Sequence, residues 1–439
     1  MTAGTTARER LIGGVGRNVV ALGFVSLLTD VSSEMLVYVV PLFLANVLAA
    51  SSSVIGLIEG IVESASALLR LVSGAISDRL GRRRLLVGTG YSTSVVAKAL
   101  YLVAASWPAV LLARLGDRVG KGIRTAPRDA LIADSTPPEA RGRAFGLHRA
   151  MDTAGAVVGV GLAAIVVTVL QGDAPQLSED TFHALVVLAL VPAVAAVGVI
   201  VVAVRDVKTP SAAAQPGRPG PSADAAGSGV VNAPRPRSWT DRARMFPAAF
   251  WVFVGATVLF TLGNSSDAFI ALRSQALGLT VRDLLLVVVL FNLVDAVIAL
   301  PAGALSDVIG RSRLLVVAWC VYAATYAGFA LAGSSVAVPL LWVLYGVYYG
   351  ILEAVGRAFI ADLAPVEARA TAFGIYNMAI GLALLPASIV AGLLWDNVSQ
   401  PATFWFGAAC AAAAAVVLAV FVRQPRGGAG PATAGPVTA

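Results

Sequence analysis

The chain has 439 residues, of which 58% are hydrophobic and 13% charged, with a formal net charge of +7 and a mean hydropathy of +0.82. Soluble domains carry roughly 25% charged residues, so the composition excludes a water-facing multidomain protein and a low-complexity disordered chain. Two cysteines (Cys320, Cys410) and two histidines (His148, His183) offer no disulfide framework, zinc spacing or His-rich metal site. No G-x4-G-K-[ST] phosphate loop and no catalytic triad occurs. Neither an enzyme nor a cofactor is expected.

Apolar runs of about twenty residues follow one another along the chain, the length that crosses a ~30 Å hydrocarbon core. The opening MTAGTTARERLIGGVGRN lacks a short signal-type apolar stretch, so the first run is expected to be retained. Residues 1–18 read as a cytoplasmic segment. Six spans follow, at roughly 19–48, 54–77, 85–105, 109–132, 144–170 and 182–204, and form a first bundle over 19–204. Residues 205–245 are Pro/Gly/Ala/Ser-rich and read as a disordered cytoplasmic linker. Its basic end, Arg235 to Arg244 with Trp239, suits an anionic inner leaflet. Six more spans, at 247–272, 282–305, 313–333, 338–361, 371–394 and 402–422, form a second bundle over 246–422, and 423–439 is a disordered tail. The expected architecture is an all-α integral membrane protein of twelve transmembrane helices.

Orientation follows from the basic residues of the loops. With the N-terminus inside, 21 Lys and Arg lie on inner segments and 2, Arg273 and Arg282, on outer ones. Both termini are therefore expected in the cytoplasm. The same asymmetry absorbs the basic balance, and no nucleic-acid partner is needed.

The two halves repeat. Gly74-Ala-Ile-Ser-Asp78-Arg79-Leu-Gly81-Arg82-Arg83 matches Gly303-Ala-Leu-Ser-Asp307-Val-Ile-Gly310-Arg311-Ser312 at an offset of 229. Ile132-Ala-Asp134 and Arg141 match Ile360-Ala-Asp362 and Arg369 at an offset of 228. The repeats are parallel, an arrangement that places a binding site between the halves near the midplane. On these residues the chain resembles the major facilitator superfamily of secondary transporters, whose signature sits in the loop between spans two and three. Span five, with Gly146, Gly155 and Gly159, also looks like that family's antiporter motif, although Val160 stands where the motif has proline. The resemblance implies alternating access, a small-molecule substrate in a lipid bilayer, and a monomer.

Charges inside spans are functional candidates by default. At the inner face, Asp78, Arg82 and Asp134, with Asp307, Arg311 and Asp362 in the second half, are expected to tie span two to span four and span eight to span ten as a gating latch. Span four carries Arg114, Asp117, Arg118, Lys121, Arg124, Arg128 and Asp129 within an arc of roughly 140°, a face that cannot meet lipid. Acids stand opposite as i,i+4 pairs, Asp30 with Glu34 and Glu59 with Glu63. Rise per residue puts Asp30, Glu63 and Arg118 at one depth and Glu34, Glu59 and Arg114 about 6 Å further out. Near balance of charge fits a structural salt-bridge network. A proton-coupling role for Asp30 or Glu34, then Glu63, and anion contacts from Arg118 and Lys121, is the functional alternative. In the second half Glu353 and Arg357 are expected to pair along span ten, while Asp267 and Asp295 lack an evident cation. Lys98 is expected to snorkel or pair internally.

The functional expectation is a proton-coupled exporter of a small amphipathic or anionic organic solute. Proton-coupled uptake, or a receptor or lipid-handling role on the same scaffold, stands as the alternative.

Overall fold

The computed structural model describes residues 10–12, 15–80, 83–137, 140–206, 245–365 and 368–422. The linker after Asp206 up to residue 244 and the tail from residue 423 lie outside the described residues. So do Gly81 and Arg82, and the side chains of the last turns before them, including Gly74, Asp78 and Arg79.

A short antiparallel hairpin (β1, Arg10–Ile12; β2, Val15–Gly16) precedes fourteen α-helices among the described residues. They are α1 (Arg17–Val37), α2 (Val39–Asn46), α3 (Ser52–Leu80), α4 (Arg83–Ala99), α5 (Trp107–Asp134), α6 (Arg141–Gln171), α7 (Glu179–Ala203), α8 (Ala248–Gly263), α9 (Asp267–Ala276), α10 (Val281–Ile309), α11 (Arg311–Leu331), α12 (Val338–Leu363), α13 (Arg369–Asn397) and α14 (Gln400–Phe421). Since α1–α2 and α8–α9 are each one interrupted span, they make twelve rods at the expected places.

Two expected spans prove discontinuous. Pro41 has no N–H to give the Val37 carbonyl, and the first rod breaks at Tyr38. The seventh breaks at Asn264–Ser266, where Ser266 caps α9 by accepting from the Ala268 N–H at 3.3 Å. Between α10 and α11, Gly310 holds φ 96°, a left-handed value that glycine adopts without Cβ strain. That conformation is the physical need behind a glycine at this position of the second-half loop.

Ten of the rods are long and apolar enough to cross a membrane. The remaining two are α4, with its 3₁₀ extension Leu100–Val103, and α5. The charges of α5 disqualify it by hydropathy, yet it packs on α3 and α4 with Arg114 and Arg124 buried.

The internal repeat extends to packing. In the first half α1 packs on α6 and α7, α3 and α4 on α5, and α4 on α7. In the second half α8 packs on α13 and α14, α10 and α11 on α12, and α11 on α14. Each contact in one set has its counterpart in the other. Between the sets, α3 lies against α13 and α6 against α10, again a related pair. The α3–α13 seam is tight: a Cβ at Gly60 would stand 3.0 Å from the Leu385 carbonyl oxygen. Ser64 Oγ donates to the Gly381 carbonyl at 2.6 Å in the same seam.

Candidate functional site

Between the two sets of rods lies a cavity of about 600 Å³. The first half contributes Glu34, Tyr38, Glu59, Glu63, Arg114 and Arg118, and the second contributes Asp267, Asp295, Glu353, Arg357 and aromatic rings. A second chamber of about 360 Å³, toward the end of the bundle that carries the start of α1, shares Glu34, Arg149, Asn292, Asp295 and Arg357 with it. Asp30, Lys121, Arg124, Arg128 and Asp152 complete that chamber. The sequence candidates Asp30, Glu34, Glu59, Glu63, Arg114, Arg118, Lys121, Asp267 and Asp295 thus line one or both spaces.

The α5 cations are mostly engaged by neighbouring helices. Arg114 pairs with Glu59 of α3 at 2.5 Å, and Arg118 with Glu63 at 2.7 Å. Glu59 also accepts from Ser266 Oγ at 3.1 Å, a contact between the halves that sequence periodicity gives no means to find. Arg124 lies 4.4 Å from the Tyr91 ring centroid and donates to Ser94. Arg128 bonds its neighbour Asp129 at 2.9 Å. Lys98 is buried and donates to Ser32 at 2.8 Å and Ser33 at 2.9 Å, an internal arrangement rather than snorkelling. Asp30, Glu34 and Lys121 make no ion pair among the described residues and face the chambers.

The expected pairing of Glu353 with Arg357 is not what forms. Glu353 pairs instead with Arg149 of α6, across the cavity mouth. A guanidinium from the opposing half reaches it, and Arg357 is left exposed to the cavity without an ion pair among the described residues. Asp267 accepts the Tyr345 hydroxyl at 2.6 Å. Asp295 Oδ1 is shielded from solvent and has no hydrogen-bond partner among the described residues. His148 lies buried 3.6 Å from Asp152.

At the end where α1 starts and α14 finishes, Arg311 bridges Asp307 at 3.4 Å and Asp362 at 2.6 Å, and donates to the Ala358 carbonyl at 3.0 Å. In the first half Arg83 bonds Asp134 and donates to the Ala130 carbonyl. Arg83 thus makes in the first half the contacts that Arg311 makes in the second. Arg82, the residue aligned with Arg311, lies outside the described residues.

At the opposite end three contacts join the halves, none of them singled out by sequence. Asp396, ending α13, accepts from the Ser52 N–H at 3.1 Å, the Ser53 N–H at 2.7 Å and the Ser53 hydroxyl at 2.6 Å. Asp173 pairs with Arg282, and Gln275 donates to the Pro175 carbonyl at 2.7 Å. The glycines of α6 divide. A Cβ at Gly155 would meet the Leu27 carbonyl oxygen at 2.6 Å and one at Gly159 the Val31 oxygen at 2.5 Å, while Gly146 has open space around it.

The pattern that describes the Major Facilitator Superfamily matches residues 22–273 and 253–437. An uncharacterized MFS-type transporter of Methanocaldococcus jannaschii is 33% identical over 413 residues, covering 92% of this chain and 94% of its own. A probable actinorhodin transporter of Streptomyces coelicolor is 29% identical over 194 residues, 44% of this chain and 31% of its own. Among solved structures, the nucleoside transporter NupG, in a mutant form, superposes with a TM-score of 0.71 at 13% identity, covering 92% of this chain and 100% of its own. That likeness is one of fold.

Proposed function

The chain belongs to the major facilitator superfamily and is a multi-pass membrane transporter rather than an enzyme; from that premise we propose that it exports a small amphipathic organic solute in exchange for protons. Residues 19–204 and 246–422 act as two bodies that rock about the central cavity, in a monomer set in the cytoplasmic membrane with both termini inside. The observation that carries this reading is the cavity itself, lined from both halves and sealed at the end opposite the start of α1 by the Asp396, Asp173–Arg282 and Gln275 contacts. Export is supported by the close packing of Gly155 and Gly159 on α1 and by the partial likeness to a probable actinorhodin transporter.

Coupling falls to Asp30 and Glu34. Both sit on the chamber wall near Lys121 without a fixed ion pair, and a carboxylate whose surroundings change between conformations gains and loses a proton accordingly. In proteoliposomes, Asp30→Asn or Glu34→Gln should abolish gradient-driven accumulation of substrate and retain counterflow. Wild-type accumulation by both variants under a pH gradient would place coupling elsewhere. Loss of flux in every variant and in the parent protein would overturn the transport reading.

A further inference from the structure

We propose that the central cavity selects a solute with a cationic head, an organic ammonium or similar onium on an apolar body. The proposal rests on the reading of this cavity as the transport site and names the charge of what it carries.

The cationic face of α5 is the feature that pointed to an anion, and the fold consumes it. Arg114, Arg118 and Arg128 are each paired with a carboxylate, Arg124 is held by Tyr91 and Ser94, and Arg149 is taken by Glu353. Lys121 lines the smaller chambers beside Asp30 and Glu34 and does not reach the large cavity. Once these pairs are set aside, the large cavity presents three carboxylates, Glu34, Asp267 and Asp295, to a single guanidinium, Arg357, among the described residues. An organic anion entering that space meets net repulsion, and a cation completes its charge.

Asp267 is the best-placed anchor. It begins α9, where the amide groups of the first turn favour a negative charge, and its Oδ1 is held by the Tyr345 hydroxyl. It is therefore oriented and stabilised without a protein cation. The walls fit the rest of such a solute. Tyr38, Phe291, Tyr349 and Tyr376 line the same cavity, and aromatic faces attract cations through their quadrupoles. Asp295, on the same cavity wall, adds a second carboxylate to that field.

Two probes of one shape and opposite charge test the proposal: tetraphenylphosphonium and tetraphenylborate, each titrated into purified full-length protein in detergent, with binding read by thermal shift and equilibrium competition. Tetraphenylphosphonium should stabilise the protein and tetraphenylborate should not. Asp267→Asn, which keeps an acceptor for Tyr345, should weaken tetraphenylphosphonium at least tenfold, and Asp267→Glu should recover part of the loss. Preference for tetraphenylborate, binding of neither ion, or full affinity in both Asp267→Asn and Asp295→Asn would overturn the cationic head and leave alternating access standing. A protein that binds tetraphenylphosphonium through Asp267 but moves no solute in proteoliposomes would overturn transport and leave the cation site.

Discussion

Arg114 and Glu59 are 7% and 3% exposed and face each other within the first half. Removing one member of such a pair leaves a charge in low dielectric without its counterion, at ~3–5 kcal/mol. Arg114→Ala should therefore lower the melting temperature of the purified protein sharply, and Arg114→Met with Glu59→Leu should recover much of the loss. Asp362→Asn strips a pair that is half open to solvent, and should cost under ~1 kcal/mol. An equal drop for both would mean burial does not govern these pairs. The matched depths of Glu59 with Arg114 and Glu63 with Arg118 were legible in the sequence, because rise per residue is fixed along a helix. The partner of Glu353 was not. Helical spacing sees only neighbours on the same rod, and Arg149 arrives from another by tertiary packing.

At the scale of the element, the twelve rods were legible because apolar length and loop punctuation coincide, and the breaks at Tyr38 and Asn264–Ser266 were not. Pro41 alone does not announce a break, since Pro192, Pro301 and Pro386 lie inside unbroken helices, and the serine cap that starts α9 becomes visible only as a hydrogen bond. The glycine pattern of α6 was legible as a motif, but its members are not equivalent. Gly155 and Gly159 let α6 lie against the α1 backbone, whereas a Cβ at Gly146 would meet nothing of another helix within 4 Å. Gly155→Ala should force the helices apart and cost about 1–3 kcal/mol, as overpacking does. Gly146→Ala should stay within about 0.5 kcal/mol of the parent. Thermal unfolding of both variants in one detergent checks the contrast, and equal stability would show that the α1–α6 approach yields without strain.

The whole molecule is held shut at one end by groups that come from different halves. Asp396 offers both carboxylate oxygens to the first turn of α3, where a negative charge is favoured by the unpaired amides of the helix start. The Asp173–Arg282 pair and the Gln275–Pro175 hydrogen bond lie at the same end. If the cavity opens alternately to the two sides, these contacts exist in one state and are lost in the other, so weakening them moves the population without touching the cavity. Asp396→Asn removes the charge and one of the two acceptor oxygens. With ~1.5–3 kcal/mol for a hydrogen bond to a charged group, the open-outward state should gain at least about tenfold. The readout is a cysteine at Asn264, on the cavity wall, in a chain whose Cys320 and Cys410 are replaced by serine. A membrane-impermeant maleimide added from outside should label it faster in Asp396→Asn than in the parent. Ser53→Ala, which loses only the hydroxyl contact, should give a smaller increase. Labelling that stays at the parental rate in Asp396→Asn combined with Arg282→Ala would mean that this end is held by the α3–α13 and α6–α10 seams alone.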